Sequence, residues 1–114
     1  MLNKKDKGIL LFLVCHCKRI EEKALNMSKE DFLNNDDILD IVCFNLLQIG
    51  ELSTKFSKTF IKNNSNIPWP KIKGLRNRIV HGYGSVNFET LWDTATEDIK
   101  PLREYCENIL QENK

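Results

Sequence analysis

Residues 38–56 read Ile-Leu-Asp-Ile-Val-Cys-Phe-Asn-Leu-Leu-Gln-Ile-Gly-Glu-Leu-Ser-Thr-Lys-Phe, and this stretch decides the fold class. Its apolar side chains recur every three or four residues, which is the spacing of one buried face of an α-helix. Asn35 is placed to cap this helix, and we expect the helix to run to about residue 60. The residues that form the apolar stripe are Ile38, Ile41, Val42, Leu46, Ile49, Leu52 and Phe56.

The same helical spacing recurs on both sides of this stretch. We expect a first helix over about residues 5–25 and a final helix over about residues 88–110, with a kink at Pro101 because proline lacks an N–H group and crowds the preceding turn. No segment alternates in the manner of a strand. The sequence therefore predicts an all-α fold, an antiparallel bundle of four main helices with a short motif helix, which follows Pro68 and Pro70.

Capping and breaking signals place the shorter elements. Ser28, followed three residues later by Asp31, predicts the start of a short helical turn. The polar residues 62–66 should end the long helix. Pro68 and Pro70 then introduce the short helix, and Pro70 suits its first turn.

Size and charge limit the classes of function. The chain has 114 residues, which we interpret as one domain over 1–114. Its 17 basic and 16 acidic side chains give a net charge of +1 at pH 7. A nearly neutral protein does not bind nucleic acid through its overall charge, so any RNA affinity must be local.

Cysteine spacing and hydropathy exclude other classes. The four cysteines include no Cys-x-x-Cys pair, so we predict reduced, structural thiols and no metal site. The longest apolar run, residues 9–15, is too short to span a bilayer, and no small-residue cleavage site follows it. We expect a cytoplasmic protein. The cysteines are Cys15, Cys17, Cys43 and Cys106.

Residues 76–83, Arg-Asn-Arg-Ile-Val-His-Gly-Tyr, combine the side chains of an active site. Arginine can hold a phosphate with two hydrogen bonds, and histidine can transfer a proton near neutral pH. Asn77 and His81 are four apart and share a helix face, roughly opposite an apolar stripe that should face the core. Gly82 and Gly84 are candidate stop signals for this helix. The stripe consists of Ile72, Leu75 and Ile79.

Basic and aromatic residues precede this motif. Lys71, Lys73 and Arg78 join Arg76 in a candidate RNA-binding patch, although such a run is also typical of a solvated helix face. Trp69 is a candidate stacking ring for a base, but we favour its interpretation as a core or interface anchor.

Two residues of the long helix have a predicted relation to the motif. Gly50 lies inside a helix, where glycine costs about 1 kcal/mol relative to alanine and usually marks close packing. We expect it to let the motif helix approach. Glu51 pairs with Arg76 or Arg78, or else remains a solvated carboxylate. His16, on the first helix, is interpreted as a residue at the edge of the core.

The spacing Arg76-x4-His81-x-Tyr83 resembles the signature of HEPN-domain proteins, and specifically of HepT-like toxins. The resemblance covers nearly the whole chain, because residues 48–51, 67–72 and 91–95 are also similar to this family. It implies a HEPN-like helical bundle.

The resemblance also implies a function. It implies a ribonuclease, an RNA endonuclease that needs no metal or cofactor, works as a homodimer and is the toxin of a toxin-antitoxin pair. Arg76, Asn77 and His81 would be catalytic. Tyr83 would accept AMP from a cognate minimal nucleotidyltransferase, the antitoxin.

The residues themselves also allow other functions. The same side chains suit a non-catalytic nucleotide-binding or regulatory partner module of a nucleotidyltransferase, in which Arg76 holds a nucleotide phosphate. A structural dimer with an inert basic face is a third interpretation. Because RNA cleavage needs both an acid and a base, a dimer that pairs two His81 side chains would favour the ribonuclease.

Overall fold

The computed structural model describes residues 2–82 and 86–114, and every regular element in these two ranges is helical. The first helix, α1, spans Lys4–Ala24 and is capped by Asn3, whose side chain accepts the N–H of Asp6. One side of α1 is fully buried, as the apolar stripe predicts. The side chains on that side with no exposed surface are Leu10, Leu13, Cys17 and Ile20.

The next two helices begin where the capping signals place them. Helix α2 spans Lys29–Leu33, and the Ser28 side chain accepts the N–H of Asp31. Helix α3 spans Asp36–Ser53, and the Asn35 side chain accepts the N–H of Ile38. Helix α3 packs against α1 on one side and against the motif helix on the other.

The predicted end of the long helix at about residue 60 is wrong. Helix α3 ends at Ser53, and a separate helix, α4, spans Lys58–Asn63. Ser57 caps α4, and its N–H and hydroxyl both donate to the buried carboxylate of Asp6, at 2.9 and 2.6 Å. This contact with a residue 51 positions away stabilises the break, while Phe56 still reaches the core.

The motif helix, α5, spans Trp69–Val80 and begins with Pro70 in its first turn, as predicted. Trp69 packs against Phe56 and Phe60, and its indole N–H donates to the carbonyl of Asn64 at 3.0 Å. The interpretation of Trp69 as a core anchor is therefore confirmed. Gly82 follows the helix end with a φ of 112°, a conformation that favours glycine.

The C-terminal part is not one kinked helix as predicted. Helix α6 spans Phe88–Asp93, a π-helical turn spans Thr94–Asp98, and α7 spans Ile99–Glu112. Pro101 cannot donate to the carbonyl of Glu97, and its ring would crowd that carbonyl in a regular helix. The wider π-helical turn ends three residues before Pro101 and contains Glu97, whose carbonyl the proline would crowd, so the distortion was predicted but its form was not.

Side-chain contacts show how the four longest helices, α1, α3, α5 and α7, run relative to one another. Asp6 meets Ser57 and His16 meets Asn45, so α1 and α3 are antiparallel. The contact of Glu21 with Arg103 shows the same for α1 and α7. Since α5 starts near the end of α3 and its Arg76 reaches Glu51, α5 is antiparallel to α3 as well. The prediction of an antiparallel all-α bundle is confirmed.

Candidate active site

The guanidinium of Arg76 is held from two sides. Its Nε and Nη2 bind Oε1 of Glu51 on α3, and its Nη1 donates to Oδ1 of Asn77 at 2.7 Å. The side chains of Arg76 and Glu51 are 29% and 38% exposed, so the pair lies at the surface rather than in the core. Of the two partners that the sequence suggested for Glu51, the structure shows Arg76.

Gly50 brings the backbone of α3 next to this arginine. A Cβ atom added at Gly50 would overlap Cβ of Arg76 and lie 2.7 Å from its Cγ. No side chain larger than hydrogen fits there without a shift of α5. The predicted role of Gly50, close approach of the motif helix, is confirmed.

His81 lies at the C-terminal end of α5 and is exposed. Its backbone N–H donates to the carbonyl of Asn77 at 3.1 Å. The structure thus joins the side chains of Arg76 and Asn77, whereas His81 contacts Asn77 through its backbone. The candidate modification site Tyr83 lies outside the described residues, as does Gly84.

The candidate RNA-binding residues do not form one patch. Lys71 and Arg78 both line a cavity between α5 and the C-terminal helices, and Lys71 Nζ lies 3.3 Å from Asp98 Oδ2. Lys73 is exposed and does not line that cavity. At about 100° per residue it points roughly opposite to Lys71.

Sequence reasoning missed the partner of His16. The Nδ1 atom of His16 lies 2.8 Å from Oδ1 of Asn45, a buried residue of α3. The Asn45 amide N–H₂ donates to the carbonyl of Ile41 at 2.8 Å, so the Asn45 oxygen accepts and His16 Nδ1 carries the proton. The predicted position at the edge of the core is confirmed. The available signal was a lone asparagine inside the apolar run of α3.

Exposed apolar side chains lie on α1 and on α3 and α5, the two helices that carry the Arg76 site. Phe44 is 53% exposed and precedes Glu51 by seven residues, so it shares the outward face of α3 with that carboxylate. Val80 is 54% exposed on α5, one turn from Asn77. Phe12 of α1 is 60% exposed, one turn before His16. Large apolar residues in such positions are typical of a protein-protein contact.

Metal-ligand clusters and membrane-spanning helices are both absent from residues 2–82 and 86–114. In these ranges no three His, Cys, Asp or Glu side chains are grouped so that they could hold a metal ion. None of the helices there is long and apolar enough to cross a membrane.

The fold and the site define a class: an antiparallel helical bundle that presents an Arg-Asn-x3-His set on a short helix. The chain matches the model of the HepT-like ribonuclease family over residues 14–109, and it belongs to that family. The family resemblance seen in the sequence is therefore confirmed.

Relatives from three organisms match most of the chain. A protein of Caldanaerobacter subterraneus subsp. tengcongensis, named as a candidate RNase, is 29% identical over 97% of this chain and 99% of the relative. A candidate RNase of Methanocaldococcus jannaschii is 32% identical over 96% of this chain and 91% of the relative. A protein of Thermococcus cleftensis, named probable ribonuclease HepT, is 32% identical over 79% of this chain and 82% of the relative. No solved structure gives a significant match.

Proposed function

We propose that this chain is a metal-independent ribonuclease that cleaves single-stranded RNA and acts as a toxin. The observation that carries the proposal is the arrangement of side chains around Arg76. Glu51 of α3 and Asn77 of α5 hold the guanidinium of Arg76, and His81 is exposed at the C-terminal end of α5. Membership of the HepT-like ribonuclease family and the names of the relatives support it. We also propose that residues 1–114 are one domain and that the protein is cytoplasmic, where RNA and ATP are both present.

In the proposed reaction the RNA supplies its own nucleophile. A 2′-hydroxyl oxygen bonds to the adjacent phosphorus, and the bond from that phosphorus to the 5′-oxygen of the next nucleotide breaks. His81 takes the proton of the 2′-hydroxyl or gives a proton to the leaving 5′-oxygen. Arg76 stabilises the negative charge on the phosphoryl oxygens. The products are a 2′,3′-cyclic phosphate and a 5′-hydroxyl.

We propose that the active form is a homodimer that pairs the two motif faces. One chain offers one motif histidine, whereas the reaction needs an acid and a base. Exposed Phe44 and Val80 next to the site would be buried in such a pairing. Sedimentation at micromolar concentration should show a dimer, and a monomer with full nuclease activity would contradict the pairing.

We propose that a minimal nucleotidyltransferase, the antitoxin, controls the enzyme by modifying Tyr83. The tyrosine oxygen attacks the α-phosphorus of ATP, and pyrophosphate leaves. The new phosphodiester places negative charge two residues from His81, where an RNA phosphate must bind. After incubation with such an enzyme and ATP, the intact mass should rise by multiples of AMP in the wild type but not in Tyr83→Phe. An equal gain in both would show that Tyr83 is not the acceptor.

Cleavage of single-stranded RNA in the presence of a chelator tests the proposed activity. His81→Ala should reduce the rate by about 100-fold or more if His81 transfers a proton. His16→Ala is the matched control, because it removes the other histidine of the chain and should leave the rate near that of the wild type. Equal cleavage rates for wild type and His81→Ala would show that the activity belongs to another site or to a contaminant. No cleavage by a folded wild-type dimer would favour the non-catalytic, nucleotide-binding module.

A further inference from the structure

The basic side chains of this nearly neutral chain are concentrated on α1. Helix α1 carries six basic and three acidic side chains, a net charge of +3, whereas the whole chain has a net charge of +1. Two of the three acids are engaged by the bundle: buried Asp6 accepts from Ser57, and Glu21 binds Arg103. Over Lys4–Ala24, Glu22 is therefore the one exposed acid beside six exposed cations. The cations are Lys4, Lys5, Lys7, Lys18, Arg19 and Lys23.

Three of these cations lie in one line with an exposed aromatic ring. Lys5, Phe12 and Arg19 are spaced by seven residues, so they lie within about 40° of one another around α1. Lys23 is four residues beyond Arg19 and extends the line to a length of about 27 Å. Phe12 is 60% exposed and stands between the cations. We call these four residues, Lys5, Phe12, Arg19 and Lys23, the basic stripe.

The cations of the basic stripe take part in none of the ion pairs found within residues 2–82 and 86–114. The motif helix differs, because Lys71 is paired with Asp98 and Arg76 with Glu51. A cation outside an ion pair can contact a phosphate without first leaving another anion. The basic stripe should therefore attract a polyanion more strongly than α5 does.

The basic stripe lies on the side of α1 that borders α3. His16 marks that side, because its imidazole meets Asn45 of α3. Phe12 and Arg19 are four and three residues from His16, so they lie within about 60° of it. Glu21, which meets α7, is about 140° from His16 and marks a different side. A ligand on the stripe therefore lies beside α3 rather than beside α7.

The basic stripe is also level with the candidate active site. Asn45 and Ser57 meet His16 and Asp6 of α1, and Glu51 is midway between Asn45 and Ser57 along the chain. Glu51 is therefore level with the middle of the stripe. Packed helices are about 8–10 Å apart, and α3 packs against both α1 and α5, so the stripe lies within about 20 Å of the candidate active site.

We propose that the basic stripe of α1 binds the single-stranded RNA that the candidate active site cleaves. Phosphates lie along Lys5, Arg19 and Lys23, and one base stacks on the ring of Phe12. Cations combined with exposed aromatic rings are a common means of holding a single strand without sequence preference. The bound strand crosses α3 to reach Arg76. The inference rests on the proposed ribonuclease only for the choice of RNA as the ligand.

The cations around Phe12 favour RNA over a protein as the occupant. The core of a protein–protein interface is depleted of charged residues, and lysine is depleted from interfaces as a whole. A surface for single strands instead combines positive charge with aromatic rings. Phe44 and Val80, on the helices that carry the Arg76 site, remain the candidates for the homodimer contact.

Binding of an RNA that cannot be cut tests the stripe separately from the chemistry. A labelled 2′-O-methyl oligouridine of about 12 nucleotides has no 2′-hydroxyl to attack, so fluorescence anisotropy measures its affinity for the wild type without cleavage. Lys5→Gln with Arg19→Gln should weaken binding about 10- to 30-fold at about 0.1 M salt. The logarithmic salt dependence should become shallower by about 1.4, the contribution of two cations on a single strand.

A second double variant is the matched control for charge. Lys7→Gln with Lys18→Gln removes the same charge from exposed positions of α1 that lie at least about 120° from Phe12. It should change the affinity less than about twofold, because distant exposed charges are screened by salt. Equal losses in the two double variants would overturn the proposal, since the RNA would then respond to the net charge of α1 and not to the stripe.

Substitution of the aromatic ring tests base stacking. Phe12→Ala should weaken binding of the same oligonucleotide about fivefold or more, and Phe12→Trp should preserve it. Leu11→Ala is the matched control, because Leu11 is 51% exposed but lies about 100° from Phe12, and its affinity should stay near that of the wild type. If Phe12→Ala binds RNA normally but sediments as a monomer while the wild type is a dimer, Phe12 belongs to a protein contact and the proposal is wrong.

The wild type itself separates this proposal from the proposed ribonuclease. No binding of the oligonucleotide by folded wild-type protein would overturn the basic stripe as an RNA site. Binding that depends on the stripe, without cleavage of the unmodified RNA of the same sequence, would support the stripe and contradict the ribonuclease.

Discussion

Two helix pairs, α1 with α7 and α3 with α5, are each joined by an arginine and a glutamate, yet they are built differently. Arg103 of α7 binds Glu21 and Glu107, and these contacts raise the pKa of Arg103 above its ordinary value. The side chains of Arg103 and Glu21 are each only 21% exposed. Buried thiols and aliphatic side chains of α1 and α7 lie between these helices.

Helix α5 packs mainly against α3, and an exposed contact of Lys71 with Asp98 links it to the C-terminal part. Its contact with α3 depends on Gly50 and on the more exposed pair of Arg76 with Glu51, and a cavity lies on its other side. We infer that the α1–α7 pair contributes most to stability, whereas the candidate chemistry resides in α5. Changes on the buried side of α1 should unfold the protein, whereas changes in α5 should alter its function first.

Leucine truncations in the two regions should give the largest difference. Leu13 of α1 is fully buried, so Leu13→Ala should lower the free energy of unfolding by about 2–5 kcal/mol. Leu75 of α5 is half-exposed beside the cavity, so Leu75→Ala should cost less than about 2 kcal/mol. Urea unfolding measures both values. Equal losses would show that α5 is as much a part of the core as α1.

The two ion pairs should differ by a smaller amount. Glu21→Gln weakens a poorly exposed charged contact and should cost about 1.5–3 kcal/mol. Glu51→Gln disturbs a more exposed pair and should cost less than about 1 kcal/mol. In the proposed ribonuclease, Glu51→Gln should nevertheless reduce cleavage about tenfold, since Arg76 loses its placement. If Glu21→Gln also reduced cleavage about tenfold while the protein stayed folded, the loss in Glu51→Gln would not be specific to the candidate active site.

Glycine replacements test the close contact of α3 with α5. Gly50→Ala forces its Cβ against Arg76 and should cost about 1–3 kcal/mol. Gly74→Ala, in α5 itself, meets no atom within 4 Å and should stabilise the helix by up to about 1 kcal/mol. Thermal unfolding distinguishes the two signs. A stabilising Gly50→Ala would mean that α5 shifts freely on α3.

The rate of thiol labelling should distinguish the buried cysteines of α1 and α7 from the exposed cysteine of α1. This measurement needs no variant that alters stability. Burial raises the pKa of Cys106 to about 12, and it raises the pKa of Cys17 still further. A raised pKa keeps the thiol protonated as the pH increases, so a shift from pH 7 to 9 should not accelerate labelling of these two, and exposed Cys15 should be the thiol that reacts. A thiol reagent should therefore find one fast site, which Cys15→Ser removes. A second fast thiol would indicate that the core opens readily.

Local signals made much of the fold predictable. The apolar stripes and the caps at Ser28 and Asn35 identified helices correctly, because a cap involves only neighbouring residues. The break after Ser53 was missed, since Phe56 continues the stripe of α3 and the break depends on the distant Asp6. Pro101 indicated a distortion, but not whether the chain would kink or widen.

The candidate site was predictable in composition and only partly in geometry. The approach at Gly50 was predictable from the cost of a glycine inside a helix, whereas Arg76 was one of three alternatives for Glu51 that the sequence left open. The separation of Lys71 from Lys73 was not foreseen, although their spacing of two residues already places them on different sides of a helix. The cavity depends on how α5 lies over α7, and no single segment of the sequence encodes that arrangement.

The contact between Arg76 and Glu51 also determines how the proposed enzyme responds to salt. The salt dependence of RNA binding reports the counterions that leave the RNA, and the pair of Arg76 with Glu51 has no net charge with which to displace them. A phosphate that binds Arg76 while Glu51 still holds the guanidinium meets a site without net charge. The affinity for RNA should therefore fall with salt less steeply than the basic residues of α5 suggest. Glu51→Gln should make the logarithmic salt dependence steeper by about 0.7, the contribution of one cation on a single strand.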